Sequence, residues 1–351
     1  MKSLLQQRRF YRKIFGAGTL LLFGLMLIAA NLGVAKLSWS KTLMIIISRI
    51  PLFNQWVSLE QIDPAALIII LNLRLPRILL AAMLGAGLAV AGAVFQGIFK
   101  NSLADPFILG ISAGAALGAA VAIVLGDAAT YFGLGLITIA AFGGGVGTAW
   151  LVYQIAGAAG KVSNTTLLLA GMAANLFLTA IMSLLMTFRR EQLERIIMWT
   201  MGSVATANWT EVLLLLPIVL GVTGIIMFFA RDLNVLLIGE DNARSMGVEV
   251  EQVKLILLTA GTLLVAALVS VSGVVGFVGL MVPHMVRLVC GADYRTVVPF
   301  SALGGAILVI GCDTLARCLI PPTEIPLGIV TSILGAPFFL YLIFKAKKQV
   351  L

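Results

Sequence analysis

Charge is scarce in this 351-residue sequence, at 11% of positions against 60% hydrophobic. A water-soluble chain of this size cannot present so little charge to its solvent, so the solvent for most of the chain is lipid. Histidine is scarcer still. One imidazole, His284, gives no basis for a metalloprotease or a haem carrier, both of which need clustered ligands. Its place after Pro283 reads as a structural residue at a helix start. Three cysteines, Cys290, Cys312 and Cys318, lie in or beside apolar segments without paired spacing, so they read as packing residues rather than zinc ligands or disulfides. No Ser/His/Asp constellation can be assembled.

Carboxylates are missing where an ion-coupled carrier needs them, near the middle of a span. Asp127, Glu211, Asp313 and Glu324 all map near span ends. A phosphate-binding loop is missing too: around Gly160-Lys161, Ile155 stands where the first glycine belongs and Val162 where Ser or Thr does. Transport energy, if any, comes from another subunit. The net charge of +9 does not point to nucleic acid, because the basic residues cluster at the ends of apolar segments.

What is present is a series of apolar blocks: residues 14–34, 65–99, 106–125, 131–159, 166–188, 212–230, 255–271, 273–290, 297–315 and 325–344. By the length that crosses a bilayer these make about ten spans, an all-α polytopic fold in one transmembrane domain over residues 1–351. The stretch 255–290 reads either as one tilted helix or as two joined near Ser272-Gly273. Parity favours two. Lys2, Arg8, Arg9, Arg12 and Lys13 at the start and Lys345, Lys347 and Lys348 at the finish put both termini on the cytoplasmic side, which requires an even number of spans. Arg74, Arg77, Arg189, Arg190, Arg195 and Arg317 then fall outside, against the usual bias, and call for a functional reason.

Glycines at four-residue spacing, Gly110, Gly114 and Gly118, together with Gly143 to Gly147, suit close helix packing in lipid. Asp105-Pro106 and Glu324-Ile325-Pro326 read as helix starts. Ala104-Asp105 with Ser112-Ala113 is echoed weakly by Ala292-Asp293 with Ser301-Ala302, as chance or an internal repeat would give.

The longest polar stretch on the predicted inside is 231–254. Within it Glu240 and Asp241 suit a helix start, Ala243 to Met246 continue it, and Gly247 ends it. Such a helix fits either a connecting loop or a docking element for a cytoplasmic partner.

The segment resembles the coupling loop of the permease subunits of type II ATP-binding-cassette importers, the family that takes up ferric siderophores, haem and vitamin B12. The resemblance extends through Arg74-Leu75-Pro76-Arg77, Gln96, Asn101-Ser102-Leu103-Ala104-Asp105-Pro106, the run from Gly276 to Arg287, Asp313-Thr314-Leu315-Ala316-Arg317, and the run from Glu324 to Thr331. Ser102 departs from the proline common there. The resemblance implies ten spans and a permease pair, here a homodimer, in a bacterial or archaeal cytoplasmic membrane. It also implies two ATPase subunits that carry ATP and Mg, an external substrate-binding protein, and no catalytic residue, metal or cofactor on this chain. By the same resemblance Arg74, Arg77 and Arg317 dock the binding protein. Glu240, Asp241, Ala243, Arg244 and Gly247 form the coupling helix. Asn101, Leu103, Asn164 and Leu168 gate the cytoplasmic side, and the spans 166–188 and 325–344 line the path. The expected cargo is a metal chelate, an iron(III)-siderophore first, with cobalamin or haem as alternatives. An ion-coupled secondary transporter is the rival class.

Overall fold

The computed structural model describes residues 4–33, 35, 37–49, 63–126, 130–131, 134–158 and 163–347. Asp127, Gly160, Lys161, Val162 and Lys348 lie outside the described residues. Helix α1 (Leu4–Asn31) leads through the short α2 (Trp39–Ile47) to α3 (Pro64–Ile68). A π-helical turn, Ile69–Arg74, joins α3 without a break to α4 (Leu75–Ile98). Then follow α5 (Ile111–Leu125), α6 (Leu136–Gly157), α7 (Asn164–Phe188), the short α8 (Leu193–Thr200) and α9 (Trp209–Phe228). The polar stretch holds α10 (Ala230–Ile238) and α11 (Glu240–Ser245), and the chain closes with α12 (Val250–Ser272), α13 (Val278–Cys290), α14 (Tyr294–Cys318) and α15 (Leu327–Lys347). The one strand pair described, Thr130–Tyr131 with Leu134–Gly135, is two residues long on each side.

Among the described residues seven helices are long and apolar enough to cross a membrane, and three shorter apolar helices, within α5, α13 and α15, accompany them. The stretch 255–290 is two helices. They separate at Gly273, whose φ of +68° is costly for any residue with a Cβ, and α13 begins after Phe277 at φ +67°. That left-handed conformation seats the Phe277 ring against Gly335 of α15, where an added methyl would collide with it. Residues 250–254, expected in the polar loop, form the first turn of α12.

Helix α4 is the centre of the bundle. Its span is 83% buried, it is apolar on every side, and α12, α13 and α14 pack around it. Backbones come close where glycines meet: Gly92 faces the carbonyl of Gly279, and Gly85 faces that of Gly305, so a Cβ at either would overlap the neighbouring helix. Gly114 and Gly118 do the same between α5 and α6. Lipid offers apolar side chains no reason to leave it, so close backbone approach supplies much of the attraction between these helices. At the periphery α7 is the opposite of α4, with only 11% of its span buried.

The two ends of the bundle have different chemistry. At one end the start of α1 meets the end of α13, where the Tyr11 hydroxyl donates to the Cys290 carbonyl at 2.8 Å; α10 and α11 lie at this end, near the starts of α12 and α14. The ends of α1 and α14 and the starts of α4 and α15 meet at the other.

Candidate functional site

At the end formed by α1, α4, α14 and α15, Arg77 and Arg317 flank the buried carboxylate of Asp313, and Arg74 stands one turn before Arg77. Arg77 grips Asp313 with its fork, Nη2 to Oδ1 at 2.8 Å and Nε to the two oxygens at 3.0 and 3.1 Å. Its remaining nitrogen, Nη1, donates to Glu324 at 3.0 Å. Arg317 is one helical turn beyond Asp313, with Nε 3.7 Å from Oδ2, and donates through Nη2 to the Ala29 carbonyl at 2.5 Å. Arg74 donates to the carbonyls of Ala30, Asn31 and Ala35 at 2.7, 2.9 and 2.6 Å. The last carbonyls of a helix have no intrahelical donor, so Arg74 closes the end of α1.

The three arginines therefore converge, but not as three free cations. Arg74 and Arg317 are 6% and 4% exposed; their hydrogen bonds go to this chain's own carbonyls, and Arg317 Nε lies near Asp313 without a hydrogen bond. Only Arg77 has a partner at the surface, Glu324, whose side chain is 38% exposed. Sequence reading missed this because the carbonyls of α1 carry no signature in residue type. The helix start expected at Glu324-Ile325-Pro326 is present, α15 beginning at Leu327, but the Glu324 carboxylate pairs with Arg77. The first amides of α15 are taken by backbone, Leu327 donating to Gly202 at 2.9 Å and Gly328 to Met201 at 3.0 Å.

Along α7 a polar stripe runs at four-residue spacing: Asn175, Thr179, Ser183 and Thr187. Ser183 and Thr187 donate back to the carbonyls four residues earlier, each at 2.9 Å, and Asn175 reaches the Phe107 carbonyl at 3.5 Å. Back-bonding lets a hydroxyl lie in an apolar setting, but a stripe of them on the least buried span suits a face turned to protein or water better than one turned to lipid. Beside it stand the exposed Met172, Leu176 and Phe177. At the start of α15 a cavity of about 420 Å³ is lined by Thr200, Met201, Val274, Gly328, Ser332 and Ile333.

At the opposite end the polar stretch folds on its own signals. Helix α11 runs Glu240–Ser245 and is closed by Gly247 at φ +84°, with Gly247 N–H donating to Arg244 and Val248 N–H to Ala243, both at 3.0 Å. Ala243 is fully buried and fixes the helix to the bundle. Arg244 spans Asp241 at 3.1 Å and Glu251 at 2.6 Å, with Glu240 at 4.0 Å, in exposed pairs that contribute little to stability.

The expected gate residues lie at the same end. Asn164 opens α7 behind the capping box of Ser163 and Thr166, and its Nδ2 donates to the Ile98 carbonyl in the last turn of α4 at 3.0 Å. Asn101 shapes the turn after α4: its amide donates to the Gln96 carbonyl at 3.1 Å, and its side chain accepts from Leu103 N–H at 2.9 Å. Leu103 is left exposed, and Leu168 packs partly against the core.

Sequence reasoning missed the groups that join these pieces. Lys254 pairs with Glu240 and lies 3.4 Å from Asn164 Oδ1. Asn234 of α10 accepts from the Tyr294 amide at 2.9 Å and donates to Asp293 at 2.7 Å. The Tyr294 hydroxyl accepts from Arg287 at 3.0 Å, and Arg287 in turn donates to Gln96. A lysine on the first turn of an apolar helix was the one available signal. His284 lies in the middle of α13, with Pro283 inside the same helix, rather than at a helix start.

Asp105 and Asp293 play the same local part, each accepting from the amide two residues on, at 2.8 and 3.0 Å. Asp105 is thus the helix start it was expected to be.

The model of the FecCD transport family matches residues 20–345. The cobalamin import system permease protein BtuC of Halobacterium salinarum is 43% identical over 80% of this chain and 75% of its own length. The hemin transport system permease protein HmuU of Yersinia pestis is 38% identical over 96% and 97%. A solved chain described as an inward-facing conformation of a transporter assigned to the metal-chelate ABC type superposes with a TM-score of 0.82 at 34% identity, covering 95% of this chain and 99% of that one. The chain belongs to the FecCD transport family and is a membrane-spanning permease subunit of an ABC importer, not an enzyme.

Proposed function

We propose that two copies of this permease enclose a path for a bulky metal chelate, an iron(III)-siderophore, moved into the cell by two ATPase subunits that seat on α11. The observation that carries this reading is α7, the least buried of the long apolar spans described, with its polar stripe from Asn175 to Thr187. A second copy or a solvated solute satisfies such a face better than lipid does. Small hydroxyls beside Met172 and Phe177 make a wall that lets a large solute slide without holding it.

The end bearing Glu240 and Lys254 then faces the cytoplasm, with both termini, and the end bearing Arg77 faces outward toward a substrate-binding protein. Docking there rests on the exposed rim around Glu324, since Arg74 and Arg317 are engaged within the chain and Arg77 lies behind Glu324 with its nitrogens on Asp313 and Glu324. The test of cargo is purification of the cognate binding protein and identification of the chelate it retains. A hydroxamate or catecholate iron complex is the expected result; retained cobalamin or haem would replace the siderophore assignment by its relatives' cargo. The test of class is uptake into vesicles: dependence on ATP and the ATPase subunits supports the reading, and gradient-driven uptake by this chain alone would defeat it.

A further inference from the structure

We propose that Lys254 is the positioning residue that ties α11, the start of α7 and the end of α4 into one moving body, so that a displacement of α11 reaches the inner mouth of the path. This rests on the reading of α11 as the seat of the ATPase.

Lys254 stands on the first turn of α12 with its side chain 16% exposed. Its ammonium is held by Glu240, the first residue of α11, and lies 3.4 Å from the Asn164 side-chain oxygen on α7. The same Asn164 amide donates to the Ile98 carbonyl of α4 at 3.0 Å. One line of hydrogen bonds thus crosses four helices. An ammonium has three donors and no acceptor, so it can hold both oxygens at once, whereas an apolar side chain would release both.

The surroundings leave this work to the polar line. Helix α11 packs chiefly on α10 and α12, not on α7. Between α11 and α7 lies a cavity of about 680 Å³, bordered by Ile98, Tyr153, Asn164, Glu240 and Lys254. Arg244 also faces this cavity, and its partners Glu240, Asp241 and Glu251 lie on α11 and α12. A rigid connection across a gap needs a bond spanning it, and Lys254 supplies one that reaches the pathway helix.

The experiment uses the whole complex with its ATPase subunits, in a Cys318→Ser background, with Leu168→Cys as a reporter at the inner mouth. The rate of maleimide labelling is compared without nucleotide and with ATP trapped by vanadate. We expect trapping to change the rate by about tenfold, within the usual range for coupled sites. In Lys254→Met the ratio should fall to near one while the amount of trapped nucleotide stays the same, an outcome that mere loss of stability does not give. Lys254→Arg should keep most of the ratio, and Asn164→Leu should match Lys254→Met, with the double variant no worse than either. If Lys254→Met does not assemble, Lys254→Gln serves in its place. A normal ratio in the Met or Gln variant, or effects of Asn164→Leu and Lys254→Met that multiply, would overturn the proposal. Failure of the underlying reading shows separately: Ala243→Asp, which disrupts α11, would then leave the ATPase subunits bound.

Discussion

Arg77 and Asp313, on α4 and α14 and 236 positions apart, form a two-pronged ion pair in which the carboxylate is 3% exposed. Removing one partner of such a pair leaves a buried charge unmatched, at a cost of about 3–5 kcal/mol. Asp313→Asn should therefore lower the unfolding temperature of the purified permease sharply, and more than Glu324→Gln, whose exposed carboxylate water can replace. Equal losses from the two would show that burial does not set the strength of this cluster.

Arg74 gives a contrasting expectation. Its donors close the end of α1, so Arg74→Ala should leave buried carbonyls unsatisfied, at about 1–3 kcal/mol each, and reduce stability and membrane yield. Once the surviving folded fraction is corrected for, association with a binding protein should be near normal. A stable Arg74→Ala permease that no longer associates would restore Arg74 as a direct docking group.

Glu324 should act in the opposite direction. Neutralising it removes the exposed negative charge beside Arg77, so Glu324→Gln should speed association with an acidic partner, most at low salt. Stopped-flow binding at two salt concentrations measures this. A slower association would mean that Glu324 itself contacts basic residues of the partner.

Close helix packing can be tested at Gly92, which faces the Gly279 carbonyl. Gly92→Ala brings a methyl inside contact distance of the α13 backbone and should destabilise the bundle by about 1–3 kcal/mol, as overpacked cores do. Gly143→Ala, where the added methyl meets open space, should be nearly neutral. Similar unfolding temperatures for both variants would contradict the packing account.

The span pattern was legible because apolar length and basic flanks are properties of residue type alone. So was α11, whose limits are written in Glu240 and Gly247. The break near Gly273 was legible only as an alternative, since a long apolar run looks the same whether or not it turns. Residue type identified Arg74 and Arg317 as unusual, but their partners are backbone carbonyls, which every residue has, and only the fold reveals which are unpaired. Lys254 went unseen, and Gln96 was named without a role, for a related reason: their meaning lies in joining helices that are distant in sequence.

A conduit of this kind is driven by ATP hydrolysed on its partner subunits. The most direct measurement is uptake of the chelate retained by the cognate binding protein into proteoliposomes that hold the permease with its ATPase subunits. Uptake should require both the binding protein and ATP, and should be lost in Ala243→Asp along with the ATPase subunits. Uptake driven by a proton or sodium gradient through the permease alone would contradict that energy source.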